Sequence, residues 1–366
     1  MNNRILEFDV IICGAGPAGS TAAFLLAKKG LRVALIDKEV FPRDKLCGGL
    51  LTKKSYNLID SIFGINFLRQ ETEFFSNRFE VYYGRTKIIS SFSKKLFLYV
   101  DRKKFDFAIL KKAIESGAYF FEKTKVVDID VNNLLVFTNN NTFKGRYIVA
   151  ADGVNSIIRS SLVKNEIIDI REYKDNLTLA MEFYDYKFTT DRASLYFGFT
   201  KFGYGWIFPN KERTIVGMGA LISKNNGLIK KQFNNFLNSI GYKEPTKVFS
   251  HLIPTGWIPN RVGFNNILLV GDAGGFVDPI TGEGIYYAVR TGQVATDAIL
   301  ISEKNKLFAE INYERFLDKM LKDLRNRKRY RNIVFGTKFR LFIKIFLLVQ
   351  LIVFRDKILD FIHEPS

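Results

Sequence analysis

Gly14, Gly16 and Gly19 stand as G-x-G-x-x-G, and Asp37, with Lys38 beside it, closes the segment that follows. The chemistry this spacing serves is dinucleotide binding. The first glycine makes a tight turn, the second lets a pyrophosphate approach the backbone, and the third lets a helix pack closely on a strand. Ala18 lies within the same turn, and Asp37 stands where an acid can hold two ribose hydroxyls. Two further groups bear on which dinucleotide it is. Asp152-Gly153 and Gly271-Asp272 each place an acid at the end of an apolar run. Such acids can hydrogen-bond the ribityl hydroxyls that FAD has and NAD lacks; simple helix N-caps are the alternative for both. Gly282, Gly284 and Ile285 open a segment of helical composition whose free N–H groups would face a phosphate or a flavin carbonyl.

These residues require particular elements. Val10 to Cys13 reads as a buried parallel strand, 20–29 as a helix capped by Gly30, and 31–36 as a second strand. Residues before Asp152 and before Gly271 supply two more strands, so the cofactor part is an α/β, Rossmann-like unit. Cys13 lies in a strand and reads as a small buried hydrophobe. The stretch "GYGWIFP" alternates, so Tyr204, Trp206 and Phe208 share one face of a strand that ends at Pro209. Gly203 and Gly205 leave its other face open to close approach. A wall of this kind suits a flat flavin or a long hydrocarbon. Residues 71–98 and 166–261 carry further alternating stretches, read as one antiparallel sheet with one face toward the flavin and one toward solvent. "KNNGLIKKQFNNFLNSIGY" reads as an amphipathic helix covering that sheet.

Together the three acidic and glycine motifs resemble the flavoprotein hydroxylase superfamily, whose FAD domain is of the glutathione reductase type. Its D-G-x-x-S-x-x-R motif is matched by Asp152, Gly153, Ser156 and Arg159, and its last motif by Gly271, Asp272, Pro279 and Gly282. Arg102, in "YVDRKKFDFAIL", matches the family arginine that lies against FAD. Within the superfamily, "FPRDKLCGGLL" and "KFGYGWIFP" resemble the geranylgeranyl reductases, although Lys201 stands where their aromatic motif has proline. The resemblance covers about residues 6–305. It implies a FAD-binding domain over 1–70, 99–165 and 262–305, and a substrate-binding domain over 71–98 and 166–261. A basic, apolar helical region would follow over 306–366. It also places Cys47, Gly48 and Gly49 in a mobile loop at the flavin ring. Gly49, Tyr204, Trp206, Phe208 and Pro209 would meet the substrate, and Cys47, Tyr204 and Trp206 would be catalytic.

The implied reaction is saturation of isoprenoid double bonds in a prenylated lipid, quinone or pigment precursor. A proton from Cys47 or Tyr204 would give a tertiary cation, and reduced flavin would deliver hydride to the neighbouring carbon. The electron donor stays open between NAD(P)H and a ferredoxin. An aromatic monooxygenase or halogenase on the same fold is the rival enzyme; a flavin- or lipid-binding protein without turnover is the rival class. Trp257 in "TGWIP" lacks the second tryptophan that a halogenase motif would carry.

The chain has 366 residues, two cysteines, two histidines and a formal charge of +18. Two cysteines form no disulfide framework, and two histidines leave little for a zinc site. The charge suits an anionic surface, and no nucleic-acid-binding motif accompanies it. The first strand begins too early to leave room for a signal peptide. A basic run over 319–344 leads into the apolar run 341–354. As a helix, that run would span about 21 Å, short of the roughly 30 Å hydrocarbon core. It reads as a surface anchor on the inner face of the cytoplasmic membrane or as a terminal helix packed on the protein.

Overall fold

The computed structural model describes residues 4–243 and 245–336. Its first sheet runs in the order Gly263–Phe264, Ile267–Leu269, Tyr147–Ala150, Val10–Cys13, Val33–Ile36 and Tyr119–Phe121. All neighbours are parallel except the outermost pair, Gly263–Phe264 with Ile267–Leu269. Val10–Cys13 and Val33–Ile36 are apolar throughout because both faces are covered. On one face lie helices Pro17–Ala27, Arg102–Glu115 and Ile285–Asn305, which bury Ala22, Leu26, Leu110, Val294 and Ala298. On the other lie helix Ile157–Lys164 and the small sheet Ile5–Glu7, Thr142–Lys144, Leu135–Thr138 and Val126–Asp130. The first helix starts at Pro17 rather than near residue 20, with Gly16 as N-cap. The fixed φ of proline suits a first helical turn, where its missing N–H is not needed.

A second sheet of eight strands runs in the order Phe249–Pro254, Leu177–Asp185, Thr214–Leu221, Gly203–Pro209, Arg192–Phe197, Thr72–Tyr83, Thr86–Val100 and Leu50–Leu51. It departs from the expected antiparallel pattern at one place, where Arg192–Phe197 pairs parallel with Thr72–Tyr83. No hairpin joins these two strands; the chain passes through the first sheet between them, so nothing local imposes an antiparallel sense. The far face is not left to solvent at its centre. Helix Ile229–Ser239 lays Phe233 and Phe236 against Ile207, Val216 and Met218. Gly205 makes room for this: a Cβ there would lie 2.8 Å from the Phe236 ring.

Helix Ala309–Gly336 returns along the first sheet and buries Ala309, Tyr313, Leu317 and Leu324. Two members of the basic run turn inward, against the reading of that run as an anion-facing surface. Arg327 meets Asp278 at 2.5 Å, both buried. Arg331 donates to the Thr255 carbonyl and to Asn176 Oδ1. Asp278 Oδ1 in turn accepts from the N–H groups of Ile280 and Thr281, each at 2.9 Å. The helix therefore ties down the turn that precedes Gly282. The apolar run 341–354 lies outside the described residues. Among those described, no helix is long and apolar enough to cross a membrane.

Arg327→Met takes the guanidinium away from a buried carboxylate and should lower stability by about 3–5 kcal/mol. Adding Asp278→Asn should restore much of the loss, read as urea midpoints at constant slope.

Candidate active site

The two sheets face each other across one cavity of about 1050 Å³. Gly14, Gly16, Ala18, Asp37 and Lys38 line one end. A Cβ on Gly14, whose φ is +106°, would sit 2.2 Å from the Ala151 carbonyl oxygen. Gly19 does not line the cavity. It serves packing, since a Cβ there would lie 1.9 Å from the Gly14 carbonyl oxygen. Asp37 shapes the turn: Oδ2 accepts from Ala15 N–H at 2.7 Å and Oδ1 from Glu39 N–H at 2.9 Å. The side chain of Lys38 points largely to solvent, 3.9 Å from Glu39.

The middle of the cavity is lined by Arg102, Asp152, Gly153, Gly271 and Asp272, with Gly282, Gly284 and Ile285 opening helix Ile285–Asn305 beside them. Asp152 partly meets the N-cap alternative, because Oδ2 accepts from Ile157 N–H at 2.7 Å. Its Oδ1 is buried with no partner among the described residues. Burial pushes the Asp152 carboxyl above the usual range, against the pull of Ser156 and the Ile157 N–H. Burial raises the Asp272 carboxyl as well, while Lys45, Arg102 and Arg159 pull it back. Arg102 holds Asp106 in a fork at 2.7 and 2.9 Å, and Arg43 stands 3.4 Å from the same carboxylate.

At the other end, Tyr204, Trp206 and Phe208 line the wall, while Pro209 closes the strand outside it. The Trp206 indole lies flat on the neighbouring strand, where a Cβ on Gly217 would come within 2.4 Å of its ring. Gly217 and Gly219 in "TIVGMGALI" are thus part of the site, and two glycines inside an apolar strand were the available signal. Tyr204 donates to the Thr281 carbonyl at 2.5 Å, and burial pushes its phenol up, which makes it a poorer acid than a free tyrosine.

Cys47 lies in the cavity wall, and the loop around it is tied to the second sheet by hydrogen bonds. Cys47 N–H donates to Glu182 Oε1 at 3.1 Å, Val100 N–H donates to the Gly49 carbonyl at 2.9 Å, and Leu50 pairs with Tyr99. The glycines serve close packing: a Cβ on Gly48 would meet the Phe208 ring at 2.6 Å, and one on Gly49 the Val100 carbonyl oxygen at 2.4 Å.

Sequence reasoning missed Glu182 and His251 in this wall, while Lys45, with Arg43, reads from the sequence as a cation available to a phosphate of cofactor or substrate. Glu182 is buried, and its carboxyl is pushed up to about 7 by burial, against the hydrogen bond from Cys47 N–H. Lys45 Nζ lies 2.5 Å from His251 Nε2. Burial lowers both, His251 to about 4 with Lys45, Arg102 and Arg43 adding to the effect. A single acid on the cavity-facing positions Thr178, Ala180 and Glu182 was legible as an anomaly. The Lys45–His251 pair, 206 residues apart, was not. Among the described residues no cluster of His, Cys, Asp and Glu could hold a metal ion.

A turn without space for a Cβ, an unpartnered buried carboxylate oxygen, a helix N-terminus and several cations in one cavity fit FAD. The FAD binding domain model matches residues 7–226. The chain is 28% identical over 355 residues to the digeranylgeranylglycerophospholipid reductase of Methanococcus aeolicus, covering 90% of this chain and 86% of that one. It is 27% identical over 336 residues to the menaquinone reductase of Mycobacterium tuberculosis, covering 84% and 80%. The crystal structure of a geranylgeranyl bacteriochlorophyll reductase-like protein from Thermoplasma acidophilum shares the fold. Its TM-score is 0.78 at 20% identity, over 94% of this chain and 96% of that one.

His251 should be neutral throughout the physiological range and take up a proton only near pH 4. With only two histidines in the chain, imidazole NMR resolves it from His363. Lys45→Met should move the midpoint upward; a wild-type midpoint near the ordinary value of about 6.5 would contradict the geometry.

Proposed function

Because the chain belongs to the FAD binding domain family and is an FAD-dependent oxidoreductase, we propose that it saturates carbon–carbon double bonds in the isoprenoid chain of a prenylated lipid, quinone or pigment precursor. One observation carries this reading. The aromatic wall of Tyr204, Trp206 and Phe208, extended by Phe79, Phe97 and Leu195, shares a single cavity with the glycine turn and the paired acids. The reductase names of the relatives support the same substrate class.

In this reading the turn at Gly14 and Gly16 receives the pyrophosphate, and Asp37 the ribose. Asp152 Oδ1 and Asp272 meet the ribityl hydroxyls, and Arg102 lies beside them. Cys47 and Gly48 stand at the ring. FAD, when bound and reduced, supplies a hydride and with it two electrons. The residues of the second sheet take the other partner. Each buried methylene of a prenyl chain contributes about 0.8 kcal/mol, so a few isoprene units outweigh a polar contact worth about 1 kcal/mol. Trp206, held flat on Gly217, gives that chain a rigid surface and keeps water from the reacting carbons. A net charge of +18 supports peripheral residence on an anionic membrane surface, where such substrates are found.

Dithionite-reduced, FAD-loaded protein should be reoxidised anaerobically by a digeranylgeranyl lipid or a menaquinone. The product should gain one dihydrogen per saturated bond by mass spectrometry. Reoxidation only by oxygen, with hydroxylation or halogenation of an aromatic compound, would overturn the proposal.

A further inference from the structure

Reduction of an isolated double bond needs a proton as well as a hydride, and beside the aromatic strand the cavity wall offers Tyr204, Cys47 and Glu182, away from the acids Asp152 and Asp272 in its middle. Tyr204 has its hydroxyl committed to the Thr281 carbonyl and is buried in a way that strengthens its hold on the proton. Cys47 Sγ accepts from Gly49 N–H at 3.4 Å, within a loop pinned on both sides. Glu182 differs from both. It lies on strand Leu177–Asp185 between Thr214–Leu221 and Phe249–Pro254, paired with Gly217 on one side and Phe249 on the other. Gly217 is the residue on which the Trp206 ring rests. The two hydrogen bonds made by Glu182, from Cys47 N–H at 3.1 Å and from the Tyr184 hydroxyl at 3.3 Å, both fall on Oε1. Oε2 carries neither of these bonds, and the side chain lines the cavity.

We propose that Glu182 is the proton donor for double-bond saturation, giving its Oε2 proton to a substrate carbon while Oε1 holds the cysteine loop. The inference rests on the prenyl-reductase reading above. The π pair of the alkene forms the new C–H bond, and the O–H bond of Glu182 breaks to leave a carboxylate. The adjacent carbon, now short of an electron pair, takes the hydride supplied by reduced FAD, which is left oxidised. Solvent then returns a proton to Glu182. The charged and titratable groups around this carboxyl come from several elements, beginning with Cys47, whose N–H donates to it. Tyr184 on its own strand donates to it, Arg213 and Arg102 favour its anion, and Lys45 and His251 lie in the same wall. Burial outweighs the cations, so the acid form persists to about pH 7. A general acid of this strength operates near neutrality, where a phenol or an ordinary carboxyl does not.

Glu182→Gln keeps an acceptor for Cys47 N–H and removes the proton. FAD content and reduction by dithionite should match wild type, while anaerobic reoxidation by the prenyl substrate should slow by about 10²-fold or more. Glu182→Asp should recover part of the rate. Wild-type reoxidation should fall as pH rises through about 7, and the residual rate of Glu182→Gln should lack that limb. A readout free of turnover is the infrared carbonyl band of a protonated carboxyl. It should be present in wild type in acidic buffer, fade through about pH 7 and be missing from Glu182→Gln. Reoxidation of Glu182→Gln at the wild-type rate, with the same pH limb, would overturn the assignment. So would a carboxyl band that titrates in the ordinary range. If no prenyl substrate reoxidises wild type while the infrared band behaves as described, the functional reading itself fails and this step falls with it.

Discussion

The crossing from residue 38 to residue 51 brings the two halves of the molecule together at the cavity wall. It leaves the parallel sheet after Asp37 and joins the edge of the second sheet through Leu50–Leu51. On the way it donates Cys47 N–H to Glu182, on a strand six places from that edge in the sheet order. The glycine turn lies on one side of it and the aromatic strand on the other. With it they line one cavity, and the two glycines at 48 and 49 set how closely the walls approach. Neither position has room for a side chain: Phe208 occupies the space at one, the Val100 carbonyl at the other.

Such a cavity holds many ionisable groups with incomplete internal pairing. Asp152 and Asp272 are pushed toward their neutral forms, as is His251, and Lys45 is pushed the same way. Burying polar groups in this state opposes folding. Their arrangement is understandable if a ligand supplies the missing partners. A dinucleotide brings hydroxyls for the acids and phosphates for the helix N-terminus. The protein then carries the desolvation in advance, and binding does not have to reorganise the site.

The parts legible in the sequence were those whose chemistry is local. The glycine turn, the acid at the end of the second strand, and the alternation of Tyr204, Trp206 and Phe208 each depend on neighbours within a few residues. What stayed hidden depends on distant pairing. The parallel step between Arg192–Phe197 and Thr72–Tyr83 follows from a chain path through the other sheet. The inward turn of Arg327 and Arg331 follows from Asp278 and from Thr255 and Asn176, which no periodicity connects to them. A basic run reads as a solvated face because most such runs are. Here two of its members complete the core around the cofactor turn. The close packing at Gly48 and Gly49 stayed hidden for a related reason, because it depends on the distant Phe208 and Val100.

One physical cause joins the aromatic wall to the acid within it. Tyr204, Trp206 and Phe208 make the cavity apolar, which favours a hydrocarbon chain at the expense of water. The same exclusion of water removes the solvation that would stabilise a carboxylate at position 182, so the acid keeps its proton above the ordinary carboxyl range. Arg213 and Arg102 limit this effect, since a carboxyl buried without nearby cations would hold its proton too firmly to release it. Apolar wall and poised acid are therefore not separate devices. A change that made the cavity wetter would weaken the grip on the chain and, through the same change in dielectric, lower the affinity of Glu182 for its proton.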